Sequence, residues 1–186
     1  DLHEHQGMIL FTSGIVAFLS IPIWWITSNR LGKKITWLIS SAITLSSLIL
    51  FYFYDIETLS ELLFLVAFIG FGSGAGGILF WSMLPDTIEY GEVHTGVRSE
   101  SSLYGFMTFA QKGSIAIAVL ILGWVLDAIG YQANQVMSAA TVDNMKIIMT
   151  LIPILGISCS LIIIYFYPID SKMHKDLLRQ LQKEAI

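Results

Sequence analysis

The stretch Ser101-Ser102-Leu103-Tyr104-Gly105-Phe106-Met107-Thr108-Phe109-Ala110-Gln111-Lys112-Gly113-Ser114-Ile115-Ala116-Ile117-Ala118-Val119-Leu120-Ile121-Leu122-Gly123-Trp124-Val125-Leu126 carries one formal charge, Lys112. A bilayer core about 30 Å thick is crossed by about 20 apolar residues of helix, so this run is long enough to span it. Within it Ser101, Tyr104, Gly105, Thr108, Gln111 and Lys112 recur at spacings of three and four. That period places them on one side of a helix. An ammonium near mid-membrane costs about 2.5–3.5 kcal/mol on insertion scales, and normally faces a partner or a water-filled cavity. The spacing therefore predicts a helix whose polar stripe, ending at Lys112, lines an aqueous cavity. The competing reading is a Lys112 paired with a carboxylate that fixes helix packing, but the apolar spans of this chain contain no Asp or Glu.

Outward from that run the same composition repeats. The chain has 186 residues, 55% hydrophobic and 13% charged, with a mean hydropathy of +0.72; soluble domains are about 25% charged. Apolar segments over 8–28, 35–54, 62–84, 101–126 and 147–167 each meet the bilayer length. Aromatic residues gather at their ends, among them Trp24, Trp25, Trp37, Tyr54, Trp124 and Tyr167, as interfacial anchors do. The alternating ten-residue strands of a membrane barrel are absent from the pattern. The expected fold is an all-α polytopic membrane protein: a five-span bundle over residues 1–168 and a tail, 169–186. Leu177, Leu178 and Leu181 of the tail lie among basic residues, which predicts a short helix on the membrane surface.

Charge placement predicts orientation. Arg30, Lys33, Lys34, Arg98, Lys172, Lys175, Arg179 and Lys183 fall on one side of a five-span chain, and Lys146 alone on the other. The positive-inside rule puts the first side in the cytoplasm and the N-terminus outside. Asp-Leu-His-Glu-His at the start has no basic n-region and no initiator Met, so the chain reads as a piece of a longer protein. The single Cys159 excludes an intramolecular disulfide framework. His3 and His5 flank Glu4 with no further ligand nearby, so no metal site is expected there.

Two further stretches draw attention. Gly70, Gly72, Gly74 and Gly76 sit inside the third span without the Lys-Ser/Thr of a phosphate loop; small residues four apart let membrane helices approach closely. After that span comes a polar hinge, Pro85-Asp86-Thr87-Ile88-Glu89-Tyr90-Gly91-Glu92, then the loop with Arg98 and Glu100. Asp86 and Glu89 are three apart and would share a face if helical. A solvated loop is the ordinary reading of such a run; the functional one is a gate in which Asp86, Glu89, Glu92 and Arg98 exchange salt bridges.

The ordered set Leu84-Pro85-Asp86-Thr87-Ile88-Glu89-Tyr90-Gly91-Glu92, Thr95-Gly96-Val97-Arg98-Ser99-Glu100, Phe109-Ala110-Gln111-Lys112-Gly113 and Ile129-Gly130-Tyr131 resembles the glycoside–pentoside–hexuronide:cation symporter family of the major facilitator superfamily. Asn29-Arg30-Leu31-Gly32-Lys33-Lys34 is similar to that superfamily's basic loop between paired helices. The resemblance implies a twelve-helix transporter, of which this chain would be the last five helices, in a bacterial inner membrane. It implies sugar symport with Na+ or H+, no enzymatic activity and no cofactor, with the cation held mainly by the missing N-terminal half. It further implies that Lys112 and Thr108 belong to the substrate and cation cavity, and Asp86, Glu89 and Arg98 to the cytoplasmic gate; the helical stripe adds Gln111 and Tyr104 to that cavity, and the charge run adds Glu92 to that gate. Partners would be the bilayer, the sugar and the missing half, and no nucleic acid. The alternatives are a related symporter for a lipid-like substrate and a structural subunit of a membrane complex.

Overall fold

A computed structural model describes residues 5–132, 135 and 137–184. It consists of α1 (Gln6–Leu31), α2 (Lys33–Phe53), α3 (Leu59–Thr95), α4 (Glu100–Ala128), α5 (Ala139–Tyr165) and α6 (Ser171–Glu184). The described residues form no strand. Five of these helices, α1 to α5, are long and apolar enough to cross a membrane. The molecule is an integral membrane protein.

Local chemistry sets the ends of the helices. Gly32, at φ 89°, separates α1 from α2 in one residue, a backbone conformation that side-chain-bearing residues rarely adopt. Thr58 and Glu61 close a capping box at the start of α3: the Glu61 amide donates to Thr58 Oγ1 at 3.3 Å and the Thr58 amide to Glu61 Oε2 at 3.2 Å. Gly96, at φ 69°, ends that helix. Ser138 accepts from the Thr141 amide at the head of α5, and Asp170 Oδ1 accepts from the Lys172 and Met173 amides at the head of α6.

α3 differs most from the expectation. The polar hinge after residue 84 is helix: α3 runs for 37 residues, through Pro85, to Thr95. At 1.5 Å per residue that is about 56 Å, well beyond an apolar core of about 30 Å, so its last turns project out of the bilayer. Proline removes one backbone donor; a long helix held by neighbours tolerates that loss. α5 likewise begins earlier than expected, its first two turns carrying Asp143 and Lys146.

α1, α2 and α3 form the packed part. Trp24, Ala75 and Leu79 are buried at its centre, with Trp37, Ile43 and Phe71 around them. Trp24 Nε1 donates to the Phe71 carbonyl at 2.7 Å, and the two rings lie 5.0 Å apart. Trp24→Phe should therefore lower stability by about 1 kcal/mol, the net worth of the lost hydrogen bond, read as the unfolding midpoint in detergent.

α2 turns a row of hydroxyls, Thr36, Ser40, Thr44 and Ser47, into this core, all buried. Each donates to a carbonyl three or four residues back, Thr36 to that of the capping Gly32 at 2.8 Å and Thr44 to Ser40 at 3.0 Å among them. The row is thus satisfied internally and, being small, lets α3 come close. The glycines of α3 complete the fit. A Cβ on Gly70 would lie 2.5 Å from the Ser13 carbonyl oxygen of α1, one on Gly74 would meet Ser20 and the Ala17 carbonyl of α1, and one on Gly72 would meet Thr44 of α2. Gly76 departs from the expected packing role: nothing lies within 4 Å of a Cβ there, because it faces the cleft between α3 and α4.

α5 packs on α2. Trp37 Nε1 donates to Ser160 Oγ at 3.0 Å, and Lys34 Nζ donates to the carbonyls of Tyr165 and Tyr167, closing the C-terminal end of α5. α4 stands apart, with no buried residue and only a thin contact with α3.

Candidate functional site

Sequence reasoning grouped Tyr104, Thr108, Gln111 and Lys112 on one wall; the structure divides them. Gln111 faces α3, in a cleft of about 790 Å³ whose walls are mostly apolar, with Phe80, Trp81, Leu84, Leu103, Phe106 and Met107. Ser101, Tyr104, Thr108 and Lys112 are exposed and outside that wall. The division follows from helix geometry, since consecutive residues are about 100° apart and Gln111 and Lys112 cannot point the same way. Among the described residues, none forms an ion pair with Lys112. The open face of α4 thus presents a hydroxyl, a phenol and an ammonium, and Lys112 is the one charged residue between Glu100 and Asp127.

The charged end of the bundle is more tightly built. Lys33 Nζ, at the first residue of α2, donates to both carboxylate oxygens of Asp86 at 2.7 Å and to the Ser82 carbonyl at 2.6 Å. The Asp86 side chain is only 7% exposed. An ammonium shared between a carboxylate and a helix carbonyl ties α2 to α3 where α3 leaves the apolar core. Glu89, one turn on, shares that face, as its spacing predicts. His174 of α6 approaches both acids, its Nδ1 3.4 Å from Glu89 Oε2 and 3.5 Å from Asp86 Oδ1. Leu177, one turn further along α6, is buried, so α6 docks on the projecting end of α3 rather than only on a lipid surface as expected.

The four gate residues separate into two groups. Asp86 and Glu89 meet Lys33 and His174. Glu92 instead meets Arg98, Nη1 to Oε2 at 2.9 Å, and Arg98 Nε reaches Glu100 at 3.1 Å. Glu100 first, then Glu92, holds the Arg98 guanidinium above its ordinary pKa. Both ion pairs lie open to solvent, where such pairs contribute little to stability. Arg98 instead bridges the ends of α3 and α4 across the Gly96 turn.

Sequence reasoning used Lys33 to assign orientation and as part of a basic loop, with no partner named for it, and left His174 in the tail. The available signal was an acid two residues past an apolar span, Asp86, which needs a cation from a neighbouring loop. In geometry Asp86, Glu89 and His174 could hold a divalent ion, their donor atoms within 4.8 Å of one another. The Lys33 ammonium already supplies positive charge to both Asp86 oxygens. His3 and Glu4 of the N-terminal triplet, the last two tail residues and the Lys183 side chain lie outside the described residues.

Comparison with known proteins fits this layout. The family described as MFS/sugar transport protein matches residues 3–171. The chain is 32% identical over 149 residues to a glucuronide carrier protein homolog of Escherichia coli, covering 80% of this chain and 33% of that protein. It is 32% identical over 176 residues to a putative sulfoquinovose importer of Escherichia coli, 92% of this chain and 37% of that protein. It is 30% identical over 175 residues to an isoprimeverose transporter of Lactiplantibacillus pentosus, 92% of this chain and 36% of that protein. The chain therefore spans about a third of the length of the curated relatives it matches. Those relatives are named as carriers and transporters, not enzymes. With the family matched across nearly all of its length and the bundle all-helical, this chain belongs to the MFS sugar-transport family, of the glycoside–pentoside–hexuronide:cation symporter type.

Proposed function

We propose that this chain is the last five helices of a secondary active transporter that moves a sugar or sugar derivative together with Na+ or H+. The observation that carries this reading is the family match over residues 3–171, combined with a bilayer-length helix, α4, whose exposed face holds Lys112, Thr108 and Tyr104. The rest of the transporter, about two thirds by the length of the relatives, supplies the opposite wall of the cavity and most of the cation ligands. Substrate binds against the Lys112 face at mid-membrane, and the halves rock to expose it alternately to each side. The Lys33–Asp86 and Arg98–Glu92 pairs exchange partners as the charged end opens, and that end, with α6, faces the cytoplasm of a bacterium.

The test is uptake into vesicles by the transporter that contains this chain. A panel of neutral glycosides, pentosides, uronides and sugar sulfonates is offered under imposed Na+ or H+ gradients. Accumulation of one member with one gradient, reduced to background in Lys112→Ala, is the expected result. Gradient-independent uptake, or full uptake by Lys112→Ala, overturns the coupling. The apolar cleft between α3 and α4 favours one second reading, a lipid-like substrate. Competition by an alkyl glycoside but not by its free sugar would select it.

A further inference from the structure

Where the α1–α2 turn meets α6, a pocket of about 400 Å³ opens beside the charged end. Its wall includes Asn29, Arg30 and Lys33 from the turn, and Asp170, His174 and Lys175 from the α6 side. The charges do not cancel locally. Lys33 is committed to Asp86 and the Ser82 carbonyl. Asp170 Oδ1 is committed to the Lys172 and Met173 amides. Arg30 and Lys175 remain, both exposed, and no described residue forms a hydrogen bond or ion pair with either. Two cations from separate elements thus line one cavity in which Lys33 offsets Asp86 and one acid, Asp170, keeps its charge at the head of α6, so Arg30, Lys33 and Lys175 outnumber Asp86 and Asp170 by one.

The position of the pocket restricts what it takes. Arg30 is in the last turn of α1 and Lys33 opens α2, and both helices are bilayer spans. The pocket therefore lies at the boundary between apolar core and water, where lipid phosphates lie. Basic pockets beside membrane helices hold anionic headgroups by charge and hydrogen bonding. Arginine suits a phosphate because its planar fork donates in pairs, while lysine adds a compact charge. We infer that this pocket is a binding site for the phosphate of an anionic phospholipid, held between Arg30 and Lys175 with the Asn29 side chain beside them. Such a lipid joins α6 to the α1–α2 turn. The inference needs only that the chain is a membrane protein and stands apart from the transport reading.

The test compares the detergent-purified transporter containing this chain with its Arg30→Gln/Lys175→Gln variant, by native mass spectrometry and thermal unfolding with phosphatidylglycerol or phosphatidylcholine added. Phosphatidylglycerol should bind and raise the midpoint, phosphatidylcholine should not, and the variant should bind phosphatidylglycerol roughly tenfold to thirtyfold more weakly. A second variant, Lys172→Gln/Arg179→Gln, removes two α6 cations outside the pocket and should keep full lipid binding. Equal losses in both variants, or none in the first, would overturn the site in favour of diffuse surface attraction. Inorganic phosphate at millimolar concentration forms the remaining arm. Stabilisation by phosphate alone, absent with the lipid, would assign the pocket to a soluble anion and overturn the lipid.

Discussion

Lys33→Ala should lower the stability of the bundle by about 3 kcal/mol, the cost of leaving one member of an enclosed ion pair without its partner. The Asp86 carboxylate is 7% exposed, and both of its oxygens take their hydrogen bond from the Lys33 ammonium. Without it the charge keeps only His174, at the longer separation of 3.5 Å. The same ammonium also donates to the Ser82 carbonyl, so its loss frees a second acceptor on α3. Lys33→Ala/Asp86→Ala removes both charges and should recover much of the loss, giving a coupling of about 1–3 kcal/mol in a double-mutant cycle. Thermal unfolding in detergent measures all four forms. If Lys33→Ala melts with the parent, Asp86 is not held as described.

The second large effect is one of sign. Gly74→Ala should destabilise by about 1–3 kcal/mol, because the added methyl lands 2.6 Å from the Ala17 carbonyl oxygen of α1 and on the Ser20 hydroxyl, and overpacking of a fitted contact costs that much. Ser20 can turn its hydroxyl away; the Ala17 carbonyl is helix backbone, so α1 itself has to shift. Gly76→Ala, two residues along the same helix, meets nothing within 4 Å. There the intrinsic preference of alanine over glycine dominates and stabilises by up to about 1 kcal/mol. Opposite shifts of the unfolding midpoint are the expected result. Two losses of equal size would mean that the glycines serve flexibility of α3 rather than its approach to α1.

Much of the fold was legible because lipid leaves few choices: every apolar run of bilayer length is a helix, and the five appear in the order and near the places read from composition. The boundaries were less so. Polarity marks where a helix leaves the membrane, not where it stops, and for that reason residues 85–95 read as hinge and loop while forming the end of α3. The site divided in the same way. Periodicity correctly joined Asp86 to Glu89, which lie on one helix. It could not show that Lys33 and His174, 53 residues before and 88 after Asp86 in the chain, would meet it, because that depends on which ends of which helices come together. Gln111 parted from Lys112 since a stripe drawn at spacings of three and four is wider than the surface one neighbouring helix covers. The hydroxyl row of α2 drew no notice in the sequence for a plain reason: its members look like ordinary polar interruptions until a partner helix is seen against them.

The composition of α4, one lysine in a long apolar run, bears on how the protein is made. A membrane span enters the bilayer largely on its own composition, each Leu, Ile, Phe or Val near the centre favouring insertion by about 0.3–0.6 kcal/mol and the lysine opposing it by about 2.5–3.5. The apolar majority of α4 outweighs that one residue, so the helix can insert on its composition without a partner for Lys112. Replacing Lys112 by alanine makes that insertion easier. A Lys112→Ala protein is therefore expected in the membrane at no less than the parent amount, and a missing activity in it belongs to the ammonium and not to failed biogenesis.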